Sequence, residues 1–261
     1  MEKEIIKKIM DKKEFRELPL EDVKKVYSFF ERDDSLLEEE KIKETRKVLV
    51  KAYTSFLSSK SFNFRERDAL WFLKKHKSTK ERIPYYKEIY SKIFSNEYIH
   101  NLKKVIVYDF GCGLNGFSYE ELLKQKIDAK YIGTEPVGQL CSLQNKWFDK
   151  NNFDGHVYNL SLFNLKENLD LIKKNKGKKL AFFFKVFDSL EILERNYSKE
   201  VLDSIVSLVD LVIVSWATKS LGGKKKIYAN KKWLVDFISK KFKIVDDFSF
   251  GSEKYLIFTK K

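Results

Sequence analysis

Apolar and polar positions follow two different patterns along the chain, and the change comes near residue 100. Before it, apolar residues recur at three- and four-residue spacing, which is the period of an amphipathic helix. This spacing predicts helices over residues 4–10, 20–30, 36–57, 67–75 and 85–94. Pro19 stands at the start of the second helix, and Asp34 or Ser35 is a candidate N-cap for the third. Since no strand pattern occurs here, residues 1–100 are predicted to form an all-helical domain.

Beyond residue 104, short runs rich in β-branched and aromatic residues predict seven strands. They cover residues 105–110, 129–136, 155–163, 179–188, 209–217, 242–250 and 253–260. Helical stretches separate the first six runs, which is typical of a parallel sheet, and a short turn at Gly251 joins the last two as an antiparallel hairpin. Residues 101–261 are therefore predicted to form a Rossmann-like α/β domain with a seven-stranded, mostly parallel sheet.

The first strand leads into a glycine-rich loop that is typical of a nucleotide-type cofactor site. The strand ends at Asp109, and Gly111, Gly113 and Gly116 follow before the next helical pattern. Glycines let the backbone adopt positive φ and approach a ligand closely. The Gly-x-Gly-x-x-Gly spacing also fits a dinucleotide site, but Asp109 would repel a pyrophosphate. It would attract the cationic methionine part of S-adenosylmethionine, and the terminal hairpin is typical of methyltransferases that use this cofactor.

Two further residues are candidates for holding that cofactor. Glu135 ends the second strand, where a carboxylate can accept hydrogen bonds from both ribose hydroxyls; the alternative is an ordinary exposed turn carboxylate. Arg82 closes the segment HKSTKER, and its guanidinium could form a bidentate pair with the cofactor carboxylate. In the same segment, Ser78 or Thr79 could cap a helix, and His76 is interpreted as structural.

The formal net charge of +14 comes from 52 lysines and arginines against 38 aspartates and glutamates, and the excess extends over both parts of the chain. A polyanion such as structured RNA is the partner that this charge favours, although a lysine-rich composition would give the same excess.

The two cysteines argue against a disulfide scaffold or a zinc site. Neither a signal peptide nor a membrane-spanning run is present. We therefore expect a cytoplasmic, metal-free monomer.

Several residues lie where strands four and five end, at the edge of the sheet at which ligands bind. Lys185 and Lys219 are the candidate catalytic residues. Gly222 and Gly223 then lead into a basic loop that could contact backbone phosphate or could be a lysine-rich surface turn. That loop contains Lys224, Lys225 and Lys226. The neighbouring Phe187 and Trp216 could stack on a flipped base or pack in the core.

Five segments, taken in order, resemble one family: HKSTKERI, DFGCGLNGF, FKVFDSLEILER, TKSLGGKKK and FGSEKYLI. This family is that of the aminoglycoside-resistance ribosomal RNA methyltransferases, which modify guanine N7 in the decoding site of the small-subunit (16S) RNA. The N-terminal KKEFRELPLEDVKKVY is also similar to the family's helical extension. The resemblance therefore covers nearly the whole chain.

The resemblance implies a role for each residue around the cofactor. Arg82 would hold the methionine carboxylate, and Glu135, where the family usually has Asp, would bind the ribose. The methionine pocket would be shaped by Asp109, Gly111 and Gly113.

Two positions depart from the family pattern. Ser161 stands near the adenine, where family members have an acidic residue followed by an apolar one. Lys219 stands where they have Arg, so a compact ammonium replaces a planar guanidinium. The chain could accordingly be a housekeeping relative rather than a resistance determinant.

The implied reaction is methyl transfer from S-adenosylmethionine to guanine N7 in structured RNA. N7 already offers an unprotonated lone pair, so alignment rather than a general base would drive the reaction. The helical domain would dock the RNA, with phosphate contacts from Lys12, Lys13, Arg16, Lys24 and Lys25. Alternatives are methylation of guanine N7 or adenine N1 in tRNA, a small-molecule methyltransferase, and a non-catalytic RNA-binding factor with a vestigial pocket.

Overall fold

The helices predicted for the first part of the chain are present in a computed structural model, which describes residues 2–56, 67–99, 102, 104–218 and 231–261. One π-helical turn (Val50–Thr54) and one 3₁₀ turn (Ile83–Tyr85) connect them. They are α1 (Glu2–Met10), α2 (Leu20–Glu31), α3 (Glu38–Leu49), α4 (Ala69–Leu73), α5 (Lys77–Arg82) and α6 (Tyr86–Phe94).

The third helix starts later than predicted, and neither Asp34 nor Ser35 caps it. Asp33 instead closes a turn by accepting a hydrogen bond from the Ser35 amide at 3.0 Å. The Glu40 carboxylate then accepts from the Leu37 amide at 2.9 Å, which satisfies one of the exposed donors at the helix start. After α3 the backbone widens into the π turn, so the prediction of one regular helix over residues 36–57 was wrong in its second half.

All seven predicted strands form one sheet in the order β3-β2-β1-β4-β5-β7-β6. The strands β1 to β5 run parallel, and β7 pairs antiparallel with both β5 and β6. The predicted parallel sheet with a terminal hairpin is confirmed. The strands are β1 (Lys104–Phe110), β2 (Asp128–Glu135), β3 (Gly155–Asn159), β4 (Lys179–Phe184), β5 (Leu211–Ala217), β6 (Lys243–Phe250) and β7 (Glu253–Thr259).

Two strands end four residues earlier than predicted, and both ends bear on function. β3 stops at Asn159 rather than at residue 163, because the chain leaves the sheet there and residues 160–163 line a cleft. β4 stops at Phe184 rather than at residue 188, because Lys185 adopts a left-handed conformation with φ 59°. Such a conformation ends a strand.

Alternate residues of each strand face two separate hydrophobic layers. Val105 and Val107 of β1 join the layer that also holds the N-terminal helices, while Ile106, Tyr108 and Phe110 face the other layer. The helices of the second part are α7 (Tyr119–Leu123), α8 (Gly138–Lys150), α9 (Leu165–Lys173), α10 (Phe187–Leu193), α11 (Tyr197–Val206) and α12 (Lys232–Lys241). Strands covered on both faces explain the continuous apolar runs in the sequence.

No helix in the described part combines the length and apolarity needed to cross a bilayer.

Candidate functional site

A cleft opens where β1, β2 and β4 end, between the sheet and the N-terminal helices. It contains about 770 Å³ of empty space, part of it open to solvent. Parallel α/β sheets bind their ligands at this edge. Six of the predicted site residues line the cleft, namely Arg82, Gly111, Gly113, Glu135, Ser161 and Lys185.

The glycine loop needs glycine for two physical reasons. Gly111 and Gly113 have φ of +63° and +56°, a region that side chains rarely adopt. A Cβ on Gly113 would also lie 2.9 Å from His76 Nε2. Gly116 has ordinary φ, but a Cβ there would come 2.5 Å from the Gln144 Oε1 that accepts its amide hydrogen bond. The chain's own packing and backbone conformation therefore require glycine at these positions, and the close approach to a ligand stays a prediction.

Asp109 lies beneath this loop, 1% exposed, and is not among the described residues that line the cleft. Its Oδ2 accepts hydrogen bonds from Asn115 Nδ2 and from the Tyr131 hydroxyl, both at 2.7 Å. Its Oδ1 is buried with no hydrogen-bond partner among the described residues. Burial raises the pKa of Asp109 to about 6, against the opposing effect of these hydrogen bonds. The loop thus rests on a carboxylate with one unsatisfied oxygen.

Glu135 bridges the glycine loop and the chain that follows β2. Its Oε2 accepts from the Gly113 amide at 2.9 Å, and its Oε1 accepts from the Val137 amide at 3.0 Å. The exposed-turn alternative is wrong, because Glu135 is only 5% exposed. Burial raises its pKa to about 7, although the two amide hydrogen bonds favour the charged form.

Arg82 ends α5 and is anchored by a residue that the sequence did not single out. Its Nε donates to both carboxylate oxygens of Glu253, at 3.1 and 3.0 Å, and its Nη1 donates to Asn115 Oδ1 at 3.3 Å. Nη2 lies 3.0 Å from Glu253 Oε1, but it makes no aligned hydrogen bond with any described residue. The guanidinium therefore faces the cleft edge with donor capacity still unused.

Lys185 completes a chain of alternating charges with Arg82. Its Nζ lies 2.7 Å from Glu81 and 3.0 Å from Glu253. Burial alone would raise the pKa of Glu253, but the cations of Arg82 and Lys185 outweigh it and lower the pKa. We call Glu81, Lys185, Glu253 and Arg82 the charge network. It joins α5 to the ends of β4 and β7, and Ser215 of β5 donates a hydrogen bond to Glu253.

The segment HKSTKER forms α5 without the expected cap. His76 is the N-cap residue, and its side chain makes no capping hydrogen bond. Ser78 and Thr79 lie inside the helix, where Ser78 Oγ is 2.8 Å from His76 Nδ1 and Thr79 Oγ1 donates to the Leu73 carbonyl at 2.6 Å. Burial, with Arg82 nearby, lowers the pKa of His76 to about 3, so the ring is neutral.

Ser161, predicted near the adenine, lies near two residues from the N-terminal helices. Its Oγ accepts from the Phe163 amide at 3.2 Å. The Tyr53 hydroxyl donates to Asp22 Oδ2 at 2.6 Å. Burial raises the pKa of Asp22, against the opposing effect of the nearby Ser161 and Tyr53 hydroxyls. Sequence reasoning missed Tyr53, which lines the cleft, and Asp22, which it contacts, because a helical pattern does not show which distant segment a buried polar residue meets.

The two aromatic residues beside the strand ends are part of the core. Phe187 is 2% exposed and Trp216 is 8% exposed, and both belong to the layer on the second face of the sheet. Neither offers a face for a flipped base. In the described part of the chain, no group of three or more His, Cys, Asp or Glu side chains could hold a metal ion.

The predicted RNA-contacting residues differ in their exposure and in the ion pairs that they form. Lys12, Lys13 and Arg16 are exposed. Lys24 pairs with Glu21 at 2.8 Å, and Lys25 pairs with Glu194 across to α10. The calls on Lys219, Lys224, Lys225 and Lys226 lie outside the described residues.

Comparisons with known proteins identify the family and the fold. The model of the family "Ribosomal RNA methyltransferase (FmrO)" matches residues 68–237, which is more than half of the chain. Among curated proteins, none matches the chain.

Solved structures of 16S ribosomal RNA methylases have the same fold. RmtB is 20% identical with a TM-score of 0.75, and the match covers 99% of this chain and 98% of that one. RmtF, solved in complex with S-adenosyl-L-homocysteine, is 18% identical with a TM-score of 0.76 and the same coverage. An rRNA methylase from Escherichia coli is 20% identical with a TM-score of 0.75, and 99% of each chain is covered.

Proposed function

The chain belongs to the FmrO family of ribosomal RNA methyltransferases, which use S-adenosylmethionine, and from this premise we propose that it methylates guanine N7 of 16S RNA near the decoding site. The observation that supports the proposal most strongly is the geometry of the cleft. Two positive-φ glycines, a buried Glu135 and an Arg82 with unused donor capacity meet at one edge of a parallel sheet.

The residues of the cleft fit the chemistry of S-adenosylmethionine. The unused Nη2 of Arg82 suits the methionine carboxylate, and the unsatisfied Oδ1 of Asp109 adds negative charge beneath the cationic end. Glu135 offers carboxylate oxygens for the ribose hydroxyls. The cofactor, when bound, supplies an electrophilic methyl group on its sulfonium.

Guanine N7 needs no general base, because its lone pair is free at neutral pH. The task of the chain is therefore to hold the base in line with the methyl group and to exclude water. Lys185 lies at the cleft with its ammonium held by Glu81 and Glu253. We assign it the role of setting the electrostatic potential at the target base. We give the same role to Lys219, which follows β5 in the sequence.

The RNA would dock on the helical domain, residues 1–100, and on the basic loop of Lys224, Lys225 and Lys226. Lys12, Lys13 and Arg16 are exposed and would neutralise phosphates. Lys24 and Lys25 would also do so, by exchanging their ion pairs with Glu21 and Glu194. The net charge of +14 suits a large structured RNA such as that of the small ribosomal subunit. Such a substrate puts the reaction in the cytoplasm.

The direct test is transfer of a labelled methyl group to assembled 30S particles, naked 16S RNA and tRNA, followed by nucleoside mass spectrometry. We expect 7-methylguanosine in 16S RNA. Label that appeared only in tRNA, or only as 1-methyladenosine, would overturn the assignment. A Lys104→Ala variant, altered at the amino end of β1 and far from the cleft, is a matched control that should retain full transfer.

A further inference from the structure

One buried amide side chain contacts both an arginine and a carboxylate of the site. Asn115 is 1% exposed and lies in the 3₁₀ turn that follows the glycine loop. Its Oδ1 accepts hydrogen bonds from Arg82 Nη1 at 3.3 Å and from the Tyr86 hydroxyl at 2.8 Å. Its Nδ2 donates to Asp109 Oδ2 at 2.7 Å. The amide therefore bridges a cation and a carboxylate that are both buried.

The backbone of Asn115 is fixed to the glycine loop. Its amide donates to the Cys112 carbonyl at 2.8 Å, and its carbonyl accepts from the Ser118 hydroxyl at 2.6 Å. The Ser118 hydroxyl is itself 2.6 Å from the Tyr90 hydroxyl. Asn115 is thus anchored in the loop by its main chain, while its side chain connects the loop to α5 and β1.

An amide at this position suits both of its charged neighbours. It presents one acceptor and one donor group, so it can accept from the Arg82 guanidinium and donate to the Asp109 carboxylate. The reverse orientation would set donor against donor and acceptor against acceptor. A carboxylate would lose the donor toward Asp109, and an apolar side chain would leave two buried charged groups each with one partner fewer.

Both charged neighbours keep one polar atom without an aligned partner among the described residues. These atoms are Arg82 Nη2 and Asp109 Oδ1. Glu253 holds Arg82 on its Nε side, so Asn115 is what fixes Nη1. The carboxylate and ammonium of an α-amino acid are bonded to the same carbon atom. Recognising them together requires a cation and an anion that are held at a fixed spacing.

We propose that Asn115 is a positioning residue that holds Arg82 and Asp109 at the spacing required by the amino acid end of the cofactor. The inference rests on the proposed use of S-adenosylmethionine and adds a residue that acts on it only through its neighbours. Without the amide, the guanidinium and the carboxylate could move toward each other, because opposite charges attract strongly when buried. Binding of the methionine end would weaken, while the adenosine end would be held as before.

The test compares the affinities of S-adenosylhomocysteine and 5′-methylthioadenosine by calorimetric titration. The second compound keeps the adenosine and the sulfur but has a methyl group in place of the amino acid end. We expect the wild-type chain to prefer S-adenosylhomocysteine by about tenfold or more, since charge-assisted hydrogen bonds are at stake. Asn115→Leu, which is close in size, should reduce this preference to less than about threefold and leave the affinity for 5′-methylthioadenosine unchanged.

Tyr86→Phe is a milder variant that removes one hydrogen bond to Asn115 Oδ1. It should reduce the preference by a smaller factor, and it decides the question if Asn115→Leu does not fold. Tyr119→Phe is the matched control, because the Tyr119 hydroxyl is buried and donates to the Ala129 carbonyl, outside these contacts. This variant should lose stability and keep the full preference.

The outcomes separate this inference from the proposed function. If the wild type bound neither compound, the proposed function would fail. If it bound both with equal affinity, or if Asn115→Leu weakened both compounds by the same factor, Asn115 would not position the amino acid end. The inference would also be overturned if no folded variant of Asn115 or Tyr86 reduced the preference.

Discussion

The charged side chains at the cleft and those of the basic turn between α1 and α2 obey different physics. At the cleft, Arg82, Glu253 and Lys185 are buried and held by each other at 3.0–3.1 Å. In the turn between α1 and α2, Lys12 and Arg16 are exposed. A buried ion pair is costly to break, because one charge is left without a partner, whereas an exposed lysine is screened by water and salt. Cofactor binding should therefore depend strongly on each buried residue. RNA binding should instead depend on the total number of exposed basic residues.

Breaking the charge network should have the largest effect. Arg82→Ala leaves Glu253 buried with Lys185 as its remaining cation, and we expect the free energy of unfolding to fall by about 3–5 kcal/mol. Chemical denaturation measures it. Arg82→Lys keeps the positive charge but loses the planar guanidinium. It should therefore be more stable than Arg82→Ala while binding S-adenosylmethionine only weakly. An Arg82→Ala protein as stable as the wild type would show that the network is not a structural unit.

Weakening the support of the glycine loop should have the next largest effect. Tyr131→Phe removes one of the two hydrogen bonds to buried Asp109, and we expect a loss of about 1–3 kcal/mol in the free energy of unfolding. Tyr158→Phe, at a tyrosine that is 41% exposed, is the matched control and should change stability little. Equal effects of the two substitutions would contradict the role given to Asp109.

The pH dependence tests the state of Glu135. Its pKa in the ligand-free fold is raised by burial from 4.5 to about 7, so this fold holds the proton more tightly than the unfolded chain does. The stability due to this group is present below pH 4.5 and is lost as pH rises toward 7. S-Adenosylmethionine needs the charged form, so its affinity should instead rise, by about tenfold from pH 6 to 8.

Calorimetric titration across this pH range measures the affinity, and Glu135→Gln should remove most of its rise between pH 6 and 8. Chemical denaturation measures the stability, where the contribution of Asp109, with a pKa of about 6, should remain in this variant. Affinity that stayed constant from pH 6 to 8 in the wild type would mean that Glu135 does not titrate on binding.

Single basic residues of the turn between α1 and α2 should give the smallest effects. Lys12→Ala should weaken RNA binding by less than about fivefold at physiological salt and lower the salt slope by about 1. Filter binding over a range of salt concentrations measures both quantities. Lys104→Ala should leave the slope unchanged. A hundredfold loss from Lys12→Ala alone would mean that RNA affinity depends on one residue, as cofactor affinity is expected to do.

The sequence predicted the sheet well, because fully buried strands are continuous apolar runs and the glycine loop requires positive φ at Gly111 and Gly113. The matched family and the fold of solved relatives confirmed the resemblance. Local details were less predictable. The prediction of a helix cap at Ser78 or Thr79 was wrong, because the helix begins at Lys77 and both hydroxyls bond instead to the nearby His76 and Leu73.

The site residues that sequence reasoning missed share one property: their partners lie far along the chain. Glu253 is 171 positions from Arg82, although the segment FGSEKYLI was part of the family resemblance. Asp22, which accepts a hydrogen bond from Tyr53, lies in a helix in which one acidic residue among many polar ones gives no signal. Periodicity indicates which face of a helix is buried, but only the folded chain brings a buried carboxylate to a cleft.

Calorimetric titration of the purified chain with S-adenosylmethionine tests most directly whether the buried groups of the cleft form a cofactor site. We expect one molecule bound per chain with a dissociation constant between about 1 μM and 1 mM, the range in which enzymes commonly meet their substrates. The absence of binding at millimolar S-adenosylmethionine, in protein that is folded by circular dichroism, would contradict this account and leave only an RNA-binding fold with a vestigial pocket.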